Sequence, residues 1–262
     1  MLSVLYANGE SVPQNLTLAQ KFICEAGGAP MEIKYRLDHV ASITDNASSK
    51  AKFDFCDDMT SGFMEGFCAA LDSELQDQKR STLLKEIAAP FTAEQKGLFE
   101  TLRKTEAEYA EAHARGEIDL SGTARAMFQI HAEDSLRDDF IEALQTFESG
   151  KYPKGSTEDS QNADARLNAE YRKAMSDAEK HKAEYGAVQP NGIRNAERAW
   201  LKYRDAWLAF AKLRYPTVPD QAWLVLLTND RISVLDGSFC EMDDTEGSCA
   251  QQGDTWKPHP LP

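Results

Sequence analysis

The sequence predicts an all-α protein of about eight helices, arranged as two degenerate three-helix units behind a short N-terminal helical cap. Three observations carry that reading. The stretch from Ile193 to Phe210 places large or apolar residues at 193, 196, 200, 203, 207 and 210, in steps of 3 and 4 that make the seam of one long helix face. β-Branched residues are sparse and two-residue alternation is absent, so no substantial sheet is expected. Breakers fall between the apolar-periodic runs, at Pro90, Gly116, Pro190, Pro216 and Pro219, where helices end and begin.

In chain order, Gly9 and Pro13 interrupt an opening helical block, and Asn15 is placed to cap a helix whose buried face is Leu16, Ala19, Phe22 and Ile23. Gly27 and Gly28 end it. Pro30 suits the first turn of a following helix that carries Met31, Ile33, Leu37, Val40 and Ile43. A polar loop spans 44–52, and Thr60 is placed to cap a long helix to about Ala88. Further helices are expected over about 92–115, 123–147, 161–185, 191–214 and 219–236. The segment 148–161, rich in breakers and small polar residues, reads as a linker. The expected divisions are therefore 1–52 for the cap, 53–147 for the first unit, and 148–262 for the second unit with its tail.

Composition narrows the function classes. The chain has 262 residues and a formal charge of −14, with a pI near 4.8. Such a surface repels phosphate backbones and anionic membranes, so nucleic acid is not an expected partner; a basic protein is. No run approaches the length of a membrane span. The N-terminus lacks a basic segment and a long apolar stretch, so the protein is either cytosolic or a secreted protein whose signal peptide has been removed. Four of the five cysteines fall in two close pairs, Cys56 with Cys68 and Cys240 with Cys249, neither with C-x-x-C spacing. Two short disulfide loops in an oxidising compartment, with Cys24 as the odd thiol, are expected over five reduced thiols.

The order of helices occurs twice. Leu102, Arg103, Glu106 and Tyr109 precede Ile193, Arg194, Glu197 and Trp200 by 91 positions. Upstream, Leu75 and Arg80 face Leu167 and Arg172 at an offset of 92; downstream, Arg137 faces Arg231 at 94. The near-constant offset points to a duplicated unit, against chance agreement between two acidic amphipathic helices.

Two family resemblances enter here. The run Leu5-Tyr-x-x-Gly-x-x-Val-x-x-Asn-x-x-x-Ala19 resembles the centre of a Sel-type repeat, though half a repeat cannot build a solenoid and reads instead as a cap. The pattern Ala163-Asp164-x-x-Leu167-Asn168-x-x-Tyr171, then Arg194-x-x-Glu197-Arg198-Ala199-Trp200-x-x-Tyr203-Arg204-Asp205, then Thr228-x-x-Arg231, resembles the LprI-like family. These are small helical bacterial envelope domains named for a lysozyme inhibitor. The likeness covers about 160–236 well and 53–147 weakly. Glu197 stands where the family has Gln, and Trp207 follows where the family commonly places a cysteine. The resemblance implies a non-enzymatic periplasmic protein, its signal peptide removed, that binds and inhibits a basic lysozyme-like muramidase or other cell-wall hydrolase. Immunity against a secreted toxin is its variant, and a structural or adaptor role in the envelope is the alternative.

The residues themselves assign packing more readily than contact. The motif Arg194, Glu197, Trp200, Tyr203, Arg204 and Asp205 is expected to be structural, with Arg204 lying over an indole and reaching a carboxylate such as Asp164 on another helix. The five histidines lack H-x-x-x-H or H-E-x-x-H pairing, His131-Ala-Glu133 has no following P-C-x-x-C, and no phosphate-binding or nucleophile motif occurs, so no catalytic residue, metal ligand or cofactor is assigned. The inhibitory surface is not named by the sequence; loop 186–192 and tail 237–255 are candidates by position alone.

Overall fold

The computed structural model describes residues 2–43 and 52–238. Among these residues all regular structure is helical: α1 (Leu2–Asn8), α2 (Leu16–Ala26), α3 (Pro30–Ser42), α4 (Gly62–Ala88), α5 (Ala93–Gly116), α6 (Arg125–Glu148), α7 (Thr157–His181), α8 (Pro190–Arg214) and α9 (Asp220–Ser238). The described residues divide into two compact units. Unit 1 holds residues up to Asp72 with Thr123–Met127, and unit 2 holds Ser73–Gly122 with residues from Phe128 on. The polar loop 44–51 and the pair Cys240 and Cys249 lie outside the described residues.

Unit 1 closes on Ala7, Ala19, Ile23, Val40, Phe53, Phe55, Met64 and Cys68. Asn15 caps α2 by accepting from the Leu18 N–H at 3.0 Å. Asn8 clamps the backbone of Phe53, where the chain enters from the loop, with both ends of its amide, at 2.9 and 2.8 Å. The buried Glu32 carboxylate accepts from the backbone of Ala29 and Thr60 and from the Ser61 hydroxyl, at 3.1, 3.0 and 2.6 Å. Burial pushes that carboxyl up, but these hydrogen bonds and the Arg36 charge hold it below the usual range. Gly28 is required there: at φ +129°, an added Cβ would stand 3.0 Å from a Glu32 oxygen. Ser61, not Thr60, caps α4, through a 3.3 Å bond from the Met64 N–H, because the helix starts at Gly62 and Ser61 is the residue just before it. Cys56 and Cys68 form a disulfide that ties the entering loop to the first turns of α4, with Cα atoms 5.9 Å apart; Cys24 is a free, exposed thiol.

Unit 2 is organised by α8. Gln95, near the start of α5, reaches the Leu213 carbonyl near the end of α8, while Gly116 meets Gly192 at the other ends, so the two helices run antiparallel. An added Cβ on Gly116 would sit 2.7 Å from the Gly192 oxygen, which is why glycine stands at both places. One core cluster gathers Phe91, Phe99, Leu102, Phe140, Phe147, Trp207, Phe210 and Trp223. Trp207 and Trp223 stack at 5.9 Å between centroids, and each large side chain so buried stabilises by about 1.5–3 kcal/mol. The second cluster, with Tyr109, Leu167, Ala174, Ile193, Trp200 and Leu235, lies where α7 packs on α9. The helix α7 starts and ends four residues earlier than its periodicity predicts. Ser156 and Asp159 form a capping box at its start, with bonds of 3.1 and 2.8 Å, and the chain turns out of it before Gly186 at φ +80°.

Candidate functional site

The seam of α8 is buried from Ile193 to Phe210 except at Tyr203, which is half-buried and stacks on Tyr109 at 5.7 Å. Polar members of the motif take different positions. Arg194 is exposed and bonds Asn191 on its own helix at 2.6 Å. Arg204 does lie over the Trp200 ring, 5.4 Å from its centroid. Its carboxylate, however, is its neighbour Asp205 at 2.7 Å rather than Asp164, which faces solvent and holds Asn168. The shortest reach wins, and so exposed a pair contributes under about 1 kcal/mol.

Glu197 is drawn into a buried ionic knot. Arg231, on α9, gives Nε to Glu197 at 3.0 Å and both terminal nitrogens to Glu117 at 2.8 and 2.5 Å. Its Nη1 also lies 3.3 Å from the Tyr109 hydroxyl, and His113 Nδ1 lies 2.9 Å from Glu117. The side chains of Arg231 and Glu117 are wholly buried. Burial pushes the Glu117 carboxyl up, but the Arg231 charge and the bonds from Arg231 and His113 hold it below the usual carboxylate range. Burial likewise opposes the Arg231 charge, yet the surrounding Tyr109, Glu117 and Glu197 keep it protonated. This is the work of the Thr228-x-x-Arg231 motif: it closes α9 onto α8 and onto the end of α5. Nothing in it is open to a ligand.

Loop 186–192 is built into the same body. The Leu120 N–H donates to the Gly186 carbonyl at 2.9 Å, Gln189 holds the carbonyls of Lys182 and Ala187 at 3.1 and 3.0 Å, and Val188 packs on the second cluster. Its outward feature is the preceding Tyr185, 77% exposed. Of the tail candidate, only residues 237 and 238 are described.

The exposed apolar surface lies elsewhere. On α4, Phe63, Phe67 and Leu71 recur every fourth residue at 80, 40 and 36% exposure, forming a ridge on unit 1. The adjoining face explains why they point outward. A Cβ on Gly62 would stand 2.2 Å from the Thr123 oxygen, and one on Gly66 would stand 2.7 Å from Ala126. The glycines take the packed face, and the large residues are left to solvent. The signal was present in the sequence, as a Gly-Phe pair that recurs four residues apart in one helical run.

Two grooves mark unit 2. One, of about 440 Å³, is lined by Lys154, Asp159, Asn162, Arg166 and Asn229. The other, of about 370 Å³, lies among α4, α5 and α6 and includes Arg80, Arg103, Glu106 and Arg137. Among the described residues no cluster of His, Cys, Asp and Glu is arranged to hold a metal ion, and no helix is long and apolar enough to cross a membrane.

Residues 155–244 match the family model described as Lysozyme inhibitor LprI. That segment contains α7, α8 and α9, less than half of the chain, and it is the stretch in which the motifs of α7 to α9 resemble the family. No curated protein and no solved structure matches the chain.

Proposed function

We propose that this chain is a non-enzymatic protein of the bacterial envelope that binds and inhibits a lysozyme-like peptidoglycan hydrolase. The match of residues 155–244 to a lysozyme-inhibitor family model is the observation that carries this reading. Charge supports it: a chain of −14 is steered toward a basic enzyme, with an association rate that falls as salt rises. The Cys56–Cys68 disulfide supports an oxidising location such as the periplasm. The buried knot and aromatic seam make unit 2 a rigid support, and contact falls to exposed features such as Tyr185 and the unit 1 ridge. Whether the target belongs to a host or to a rival's secreted toxin changes the enzyme and leaves the chemistry the same.

A panel of muramidases, including any hydrolase encoded beside this gene, is mixed with the protein while wall lysis is followed, with gel filtration in parallel. Inhibition with a stable complex is expected. The absence of both inhibition and a complex with every member of the panel refutes the proposal. The ridge of Phe63, Phe67 and Leu71 favours a second reading, because it lies outside the matched segment. It suits an adaptor that holds a partner without blocking it, and a complex formed without inhibition would select that reading.

A further inference from the structure

Glu106 is buried in unit 2, 8% exposed, and its Oε1 has no hydrogen-bond partner among the described residues. It lines the 370 Å³ groove. An ionisable group so placed is costly unless something satisfies it. The chain holds its own comparison. At the sequence offset of 91, Glu106 corresponds to Glu197, which accepts from the Arg231 guanidinium at 3.0 Å. At the offset of 94, Arg231 corresponds to Arg137, which lines the same groove but gives its bonds to Asp77, at 3.0 Å, and to Glu133, leaving Glu106 Oε1 without one. The first half of the chain thus keeps the carboxylate and leaves the guanidinium's place open to the groove.

We propose that the groove receives a basic side chain, arginine in the best case, from a protein partner, with Glu106 as its acceptor. The nearby cations do not oppose this, because each is already held by carboxylates. Arg80 bonds Asp138 and Asp134 at 2.7 Å and Asp77 at 2.9 Å, and Arg103 bonds Glu100 at 3.2 Å. Four cations line the groove, Arg80, Arg103, Lys104 and Arg137, beside Asp77, Glu100 and Glu106, and the excess is offset by their pairs with Asp134, Asp138, Glu133 and Glu108 just outside it. Leu84 and Phe140 supply apolar walls for the stem of an arginine. Arginine, with tryptophan and tyrosine, is enriched among the dominant contacts between proteins. The partner's identity rests on the proposed function; the chemistry of the groove does not.

The test uses the full chain and its Glu106→Gln variant, which keeps shape and one acceptor and removes the charge. Free L-argininamide is titrated in while the Glu106 carboxyl carbon is followed by NMR, its signal identified by its loss in the variant. A saturable shift is expected, and no shift overturns the site. A signal that responds to Arg137→Met and not to argininamide also overturns it, since the vacancy is then filled from within. For any hydrolase that the wild type inhibits, Glu106→Gln is expected to weaken binding by about 30-fold or more. Unchanged binding overturns the site while leaving the inhibitory function standing. If no hydrolase binds, the function falls and the argininamide titration decides the site alone.

Discussion

Replacing Arg231 with methionine is the sharpest test of how unit 2 is held together. The substitution removes three charge-assisted bonds, two to Glu117 and one to Glu197, at 2.8, 2.5 and 3.0 Å. The loss of the bonds is the smaller part. Glu117 is wholly buried and would be left as an unpaired carboxylate with only His113 beside it. Breaking one side of a buried pair costs about 3–5 kcal/mol. Taking both charges away, as Glu117→Leu with Arg231→Met, should recover most of that loss, since the desolvation goes with them. Urea unfolding read by tryptophan fluorescence suits the measurement, because Trp200, Trp207 and Trp223 are all buried in this unit. The exposed pair Arg204 and Asp205 is the control, and Arg204→Met should cost under about 1 kcal/mol in charge terms. A loss below about 1 kcal/mol for Arg231→Met, or a double variant no better than the single one, would refute the reasoning.

Three further outcomes follow from the same geometry. Burial, helped by Glu133 and opposed by Arg137, Arg103 and Arg80, pushes the Glu106 carboxyl up to about 7. The folded state therefore holds that proton longer than the unfolded chain, so stability falls from about pH 4.5 to pH 7 and stays lowered by about 3 kcal/mol above it. Glu106→Gln should flatten that slope in pH-dependent unfolding; an unchanged slope contradicts it. Gly192→Ala would place a Cβ 2.3 Å from the Gly116 oxygen and force α5 and α8 apart, costing about 1–3 kcal/mol in denaturant melts, whereas Gly97→Ala meets nothing and should not destabilise. Cys56→Ser should destabilise unit 1 by about 2–3 kcal/mol and leave the tryptophan signal of unit 2 in place; simultaneous loss of both would contradict separate units.

Much of the helix order was legible because the seam of α8 repeats at helical spacing and the breakers are unambiguous. What escaped the sequence depends on distance along the chain. Glu117 reads as one more acidic residue past a helix end, and only the fold brings it to Arg231 across 114 positions. Gly116 reads as a helix terminator, yet its real constraint is the backbone of Gly192. Arg204 was assigned a partner on another helix, when the adjacent Asp205 was closer. The outward ridge on α4 is set by the glycines beside it, whose close approach to Thr123 and Ala126 fixes which face of the helix packs. Glu106 could not be singled out at all, since its vacancy exists only by comparison with Glu197.

The knot around Arg231 also bears on what can be cut from this chain. Three of its members, Tyr109, His113 and Glu117, precede the segment 155–244, as do Phe99 and Phe140 beneath Trp207 and Phe210. The family-matched segment is therefore not self-sufficient here: it borrows one wall and one counter-charge from the half before it. Expressed alone, it would expose an aromatic face and leave the Arg231 guanidinium with Glu197 as its one remaining carboxylate partner. A truncation that keeps α8 and α9 must therefore also keep α5, whose antiparallel pairing with α8 supplies that wall.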